Sequence, residues 1–285
     1  MQNVPTNLSV FFHVTVLLAK FMTGLGIGWV APMLLQLKQS PETAFTSEQC
    51  SWIASGHYIT RGFCPFLIVV VIDRFGRNIT VILSAFISFV MWIAVYYSRL
   101  VYVHYAVRLA FGIGVGFCEA AASIYIAENC SSKLRGIFSG LGTTFFYLGE
   151  LVAFLLAAYF SYEWDAISSA ILGFFVILST LLLKEPAHYL IMKGNLTKAE
   201  KNYDYLHNLQ KSKTKFEFED IKQYVDEVKN RKFSLRLFRS KEVSKSLRIV
   251  LIINFLSLAG GFTAVNSFMT IALEGSQDLS TSHLT

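Results

Sequence analysis

Seven long apolar runs constrain this chain more than anything else in it: Leu8–Ala31, Trp52–Ile72, Ile79–Tyr97, Leu100–Ala127, Gly136–Phe160, Trp164–Leu183 and Ile249–Leu273. A helix rises about 1.5 Å per residue, so roughly 20 apolar residues cross a hydrocarbon core of about 30 Å. Lipid leaves backbone N–H and C=O groups no outside partner, and isolated runs of this length cannot close a barrel, so each run is expected to be a helix. The composition agrees: 15% of residues are charged and 54% hydrophobic, where a soluble domain carries about a quarter charged residues. The expected class is an all-α membrane protein. The first basic residue, Lys20, lies inside the first run, so no charged leader precedes it, and that run reads as a retained signal anchor.

Between the sixth and seventh runs lies a polar segment, Lys184–Arg248, with 16 of the 25 Lys and Arg residues and nine of the 19 acids. The basic balance of the whole chain, +6, therefore sits there. The turns Asp73–Asn78 and Glu128–Arg135 each add two cations, whereas the opposite turns hold only Lys38 and Arg99. By the positive-inside rule the N-terminus and the polar segment are cytoplasmic, with the plasma membrane as the expected location. The charge thus reflects topology, and no nucleic-acid partner is expected. The four sequons, at Asn7, Asn78, Asn129 and Asn195, fall on that same side and are expected to carry no glycan.

The expected organisation is a six-helix bundle over 1–183, a cytoplasmic helical linker over 184–248, a seventh membrane helix over 249–273 and a polar tail over 274–285. Within the linker, Thr197-Lys198-Ala199-Glu200 has capping-box spacing, and Phe218, Ile221, Val225 and Val228 form an apolar stripe at helical period. Packed helices are expected; a solvated linker is the alternative. Cys50, Cys64, Cys118 and Cys130 have neither the spacing of a disulfide framework nor that of a zinc site. No phosphate-binding loop and no nucleophile–base spacing occurs, so neither an enzyme nor a cofactor is expected.

Two kinds of charge carry information about function. The first lies at the cytoplasmic turns: Asp73, Arg74 and Arg77 around Gly76, then Glu128, Arg135 and Glu185, with Arg108 at the start of the fourth run grouped with them. Gly76 permits a tight turn, and guanidiniums can hydrogen-bond carboxylates in bidentate fashion. The second kind lies near mid-span: Lys20, Arg61, Glu119 and Glu150. A charge there costs roughly 2.5–3.5 kcal/mol on insertion scales and faces a cavity or a partner. Depth counts suggest two pairs, Arg61 with Glu119 and Lys20 with Glu150. Structural pairing, binding of a charged substrate and carriage of a coupling proton remain open. His13 and His57, also within spans, read as packed polar groups.

In this order, "GLGIGWVAP", "DRFGRN", "RLAFGIGVG", "SIYIAENCSSKLRG" and "KEPAHYLIMKGN" resemble the motifs of the sugar-porter branch of the major facilitator superfamily, in particular its insect trehalose/glucose group. The resemblance covers nearly the whole chain and corresponds to the first half plus one helix of a family member. It implies alternating-access transport of a sugar such as trehalose or glucose, facilitative or proton-coupled. It also implies a cytoplasmic ion-pair network of Arg74, Arg77, Glu128, Arg135 and Glu185 that closes the inner side of the outward-facing state. The family's sugar-contacting amides fall on Thr143, Ser257, Leu258 and Thr263. Ser and Thr both donate and accept with short reach, and Leu does neither. The expected partners are the bilayer, a small solute and a second half-transporter or another copy. A half that transports nothing and acts as an assembly partner is the competing reading.

Overall fold

The computed structural model describes residues 7–39, 45–130, 132–207, 211–230, 240–261 and 265. They form eleven helices: α1 (Asn7–Gly28), α2 (Val30–Gln39), α3 (Ser47–Phe75), α4 (Arg77–Tyr97), α5 (Val101–Asn129), α6 (Ser132–Tyr159), α7 (Tyr162–Thr180), α8 (Ala187–Met192), α9 (Leu196–His207), α10 (Lys211–Asn230) and α11 (Lys241–Ala259). Six helical stretches among the described residues are long and apolar enough to cross a membrane. The seventh apolar run is described only as far as α11 and its immediate end; its remainder and the polar tail lie outside the described residues.

The first span departs from expectation. It runs past Ala31 to Lys38, because Trp29 N–H bonds Leu25 O at 3.0 Å and Met33 N–H bonds Trp29 O at 3.2 Å, carrying α1 into α2. This stretch is the most enclosed of the six: 78% of its apolar window is buried, against 28% for α3 and for the span in α6. α1 therefore runs through the interior, and α3 and α6 present open faces. Packing runs chiefly between α1 and α6, α3 and α5, α4 and α5, and α4 and α7. Glycines permit the closest crossings. A Cβ at Gly24 or Gly149 would strike the backbone of Phe146 or Phe21 across α1 and α6, and one at Gly112 would strike His57 O on α3. The small residues of "RLAFGIGVG" thus seat α5 against α3, as membrane helices pack.

The end of the bundle bearing Arg77 and α8–α10 is called here the basic end. At the opposite end Trp52, Tyr97, Tyr102, Tyr159 and Trp164 are exposed, forming the aromatic belt that suits a membrane–water interface. There Arg99 pairs with Glu163, and its guanidinium lies 4.0 Å from the Tyr162 ring centroid.

Where it is described, the polar segment is largely helical, and α8, α9 and α10 pack together. Ala187, Tyr189, Leu190, Ile191, Ala199, Tyr203, Phe218 and Val225 bury one another, with Ile221 beside them. The side chain of Val228 lies outside the described residues. The capping box expected at Thr197 is not formed. α9 starts earlier, at Leu196, and Asn195 Oδ1 accepts from Lys198 N–H at 3.2 Å. The reason is the end of α8: Gly194, at φ +78°, turns the chain so that Asn195 becomes the cap.

Candidate functional site

At the basic end only Gly76 separates α3 from α4. Its φ of +101° is a conformation that a side chain resists. A Cβ would also collide with the Glu185 carboxylate. α4 has no capping side chain of its own at this position. Glu185 supplies the cap from the far side of the sequence, accepting from Arg77 N–H at 3.1 Å and Asn78 N–H at 3.0 Å. A carboxylate suits a helix N-terminus, where unpaired N–H groups concentrate positive potential. Burial pushes the Glu185 carboxyl upward, against the backbone N–H groups of Arg77, Asn78 and Ile79 and the charge of Arg77.

The Arg77 side chain turns to α5. Its Nε lies 3.1 Å from both Glu128 oxygens and its Nη2 lies 2.8 Å from Oε1, a fork in which two nitrogens engage one carboxylate. The two side chains are 8% and 13% exposed. Tyr189 lies over Arg77, its ring centroid 5.3 Å from the guanidinium carbon, and its hydroxyl donates to Arg74 O at 2.9 Å. Asn78 Nδ2 donates to Leu183 O, Tyr125 Oη to Lys184 O, and Asn202 Nδ2 to Glu185 O. The start of α4, the end of α5, α8 and α9 are thereby tied through one buried knot.

The expected charges distribute unevenly around this knot. Arg77, Glu128 and Glu185 form its centre. Asp73 stands within electrostatic range of Glu128 and Tyr189. Arg74 lies against the Phe75 ring at 5.6 Å, and Arg135 donates to Cys130 O at 3.5 Å. Neither cation forms an ion pair among the described residues.

Arg108 does not belong with the other members of the expected network. The fourth span starts at the opposite end of the bundle, so Arg108 is 20 residues before Glu128, roughly 30 Å along α5. It is buried and donates to Ile53 O at 3.1 Å, Gly26 O at 3.0 Å and His57 Nδ1 at 2.7 Å, pinning α1, α3 and α5 together.

Of the two mid-span pairs, one forms. Arg61 Nη2 lies 2.9 and 2.8 Å from the two oxygens of Glu119, with the side chains 35% and 38% exposed. Lys20 and Glu150 do not pair with each other. The backbone of Glu150 packs against Gly28, whereas the Lys20 stem lies on Gly142. Gly28 is eight residues beyond Lys20, about 12 Å of helix. The expectation took Ala31 as the end of the first span; because the helix continues to Lys38, Lys20 lies deeper than that count allowed. Thr143 follows Gly142 on an exposed face of α6, its hydroxyl directed to Ser139 O at 3.4 Å. The side chain of Ser257 and all of Thr263 lie outside the described residues.

Sequence reasoning missed Asn78, Tyr125, Tyr189, Asn202 and the His57–Arg108 contact. The signal for the last was present: both residues sit in the first half of parallel spans that start at the same end. Asn78, in the first turn of α4, takes its place in the knot through its amide.

The comparisons fit this geometry. Residues 12–280 match the family of sugar (and other) transporters. The facilitated trehalose transporter Tret1 of Polypedilum vanderplanki is 23% identical over 71% of this chain and 42% of its own length. The D-xylose transporter of Levilactobacillus brevis is 26% identical over 78% of this chain and 49% of its own. This chain thus spans about half the length of such relatives. Among solved structures, the partially occluded inward-open xylose transporter XylE from E. coli superimposes with a TM-score of 0.72 at 15% identity, over 92% of this chain and 64% of that one. That likeness shows the fold, a major-facilitator six-helix bundle. With the family pattern running over nearly its whole length, this chain belongs to the sugar (and other) transporter family.

Proposed function

We propose that this chain forms the first half of a sugar-porter-type carrier that moves a small hydroxylated solute across the plasma membrane by alternating access. The basic end is cytoplasmic, and the N-terminus lies there with it. The observation that carries this reading is the Arg77–Glu128–Glu185 knot: a buried, multiply bonded cluster at one end of a bundle of this family supplies a latch that a purely topological set of charges does not need. In alternating access two six-helix halves rock about a mid-membrane site. Holding the helix ends of one half together favours the state closed on that side.

The Arg61–Glu119 face supports the second part of the reading. An ion pair a third exposed at mid-span cannot face acyl chains without a heavy solvation cost, so this face meets a water-filled cavity and a covering half.

Uptake of labelled trehalose, glucose and xylose by oocytes expressing the chain tests transport. Saturable uptake of one of them above that of water-injected cells supports the carrier reading; uptake equal to those controls contradicts it and favours the assembly-partner role. The latch has its own test. In a cysteine-accessibility assay Arg77→Ala shifts labelling toward the inward-open state, and an unchanged ratio of the two states removes that role.

A further inference from the structure

The open surface of α3 has two unlike sides. Along one, Trp52, Ile59, Phe63, Phe66 and Val70 recur at helical spacing, and all are exposed. Such a stripe suits hydrocarbon. Arg61 lies nine residues beyond Trp52, about two and a half turns of helix, and so sits on the other side with Glu119. The stripe meets acyl chains where the ion pair meets the cavity.

At the end opposite the basic end, the stripe opens into a groove of about 590 Å³ between α3 and α5. Glu48, Gln49, Trp52 and Tyr105 line it at the aromatic belt, and Gly56 and Ile59 line it further along α3. The volume is that of a small-ligand site, mostly apolar with a few polar groups. Glu48, in the first turn of α3, is exposed and forms no ion pair among the described residues. It stands within electrostatic range of Tyr105, whose ring centroid lies 6.3 Å from that of Tyr102. Gln49 Oε1 accepts from Thr46 N–H at 2.9 Å, which leaves the Gln49 Nε2 group as a donor. A carboxylate beside Trp and Tyr rings is the chemistry that holds an alkylammonium group.

Gly56 is an independent sign. Gly24, Gly112 and Gly149 serve close helix crossings, but a Cβ at Gly56 would meet only side-chain atoms of Arg108 and Leu109, at 3.7 and 4.0 Å. These are ordinary contacts, so packing does not demand a glycine there, and glycine weakens a helix interior. The missing side chain leaves depth in the groove.

We propose that this groove binds a phospholipid with a cationic head, of the choline or ethanolamine class, from the leaflet at the aromatic belt. Its ammonium rests against Glu48, Trp52 and Tyr105, and Gln49 Nε2 donates to its phosphate. One acyl chain runs over Gly56 and Ile59 onto the stripe of Phe63 and Phe66. The site stands apart from the solute cavity and holds whether or not the chain carries a solute. Glu48 repels an anionic lipid, and a sterol makes no use of its charge.

The test is native mass spectrometry of the purified full chain in detergent, titrated with phosphatidylcholine, phosphatidylglycerol or cholesterol. Phosphatidylcholine should be retained at about tenfold lower concentration than phosphatidylglycerol, the size of one partly desolvated ammonium–ring contact. Glu48→Gln should bring that ratio near one. Gly56→Leu should remove one retained phosphatidylcholine, whereas Gly56→Ala, which adds only a Cβ, should keep it; the pair separates filling of the groove from misfolding. Equal retention of the two phospholipids, or a preference untouched by Glu48→Gln, overturns the proposal. So does cholesterol displacing phosphatidylcholine equally well from the native chain and from Glu48→Gln, which would make the groove a sterol site.

Discussion

Two of the ion pairs among the described residues, Arg77–Glu128 and Arg61–Glu119, use the same residue types in opposite ways. Arg77 and Glu128, at the basic end, are 8% and 13% exposed and joined by a fork of two nitrogens. Arg61 and Glu119, at mid-span, are 35% and 38% exposed and joined through one nitrogen. The first pair is embedded among Tyr189, Asn78 and the Glu185 cap; the second keeps donors facing outward. Burial makes a pair part of the architecture, whereas exposure with spare donors makes it a surface for something else. The location of a charge in the sequence did not distinguish these uses; its surroundings do.

Breaking the buried pair should have the largest effect. Arg77→Ala leaves Glu128 enclosed without its counter-charge, a loss of about 3–5 kcal/mol. Reversible unfolding in SDS micelles checks this, and a loss below about 1 kcal/mol would remove the distinction between the pairs. Gly76→Ala comes next. It strains a φ of +101° and pushes on Glu185, at a cost of about 1–3 kcal/mol. If the cap is what the glycine serves, Glu185→Ala should relieve part of that cost when combined with it, as the same unfolding measurement would show.

A smaller effect comes from pH. Burial, then Arg77 and Arg135, hold the His188 imidazole below its ordinary 6.5, and its Nδ1 is buried without a hydrogen-bond partner. The docked α8 therefore carries a neutral His188, while the undocked residue takes its proton near 6.5. The sign follows: docking is at full strength above about 6.5 and weakens as pH falls below it toward the lower folded value. Limited proteolysis of α8–α9 at pH 7.5 and 5.5 should show faster cleavage at the lower pH, and His188→Gln should reduce the difference. The smallest effect on stability belongs to the exposed pair. Glu119→Gln should change unfolding by no more than about 1 kcal/mol, yet alter which solutes bind.

Much of the fold was legible in the sequence because lipid imposes a simple rule, and apolar length alone locates six spans. The Arg61–Glu119 pair was legible as well, since depth counted from the basic ends of α3 and α5 held. The same count failed for Lys20 and Glu150, where no polar residue marks the passage from α1 into α2 and the helix runs on. Arg108 was misplaced by reading it with the charged turns when its span begins at the other end. The Glu185 cap was not legible as a cap: a bond between residues so far apart in the chain depends on how α8 folds back under α4, which periodicity does not encode.

The account turns on the claim that the buried pair is structural and the exposed pair is not. Double-mutant cycles on Arg77/Glu128 and Arg61/Glu119, measured by SDS unfolding of the same purified chain, test it most directly. The prediction is a coupling energy of about 2–3 kcal/mol for the first pair and below about 1 kcal/mol for the second. Equal couplings, or the reverse order, would contradict it.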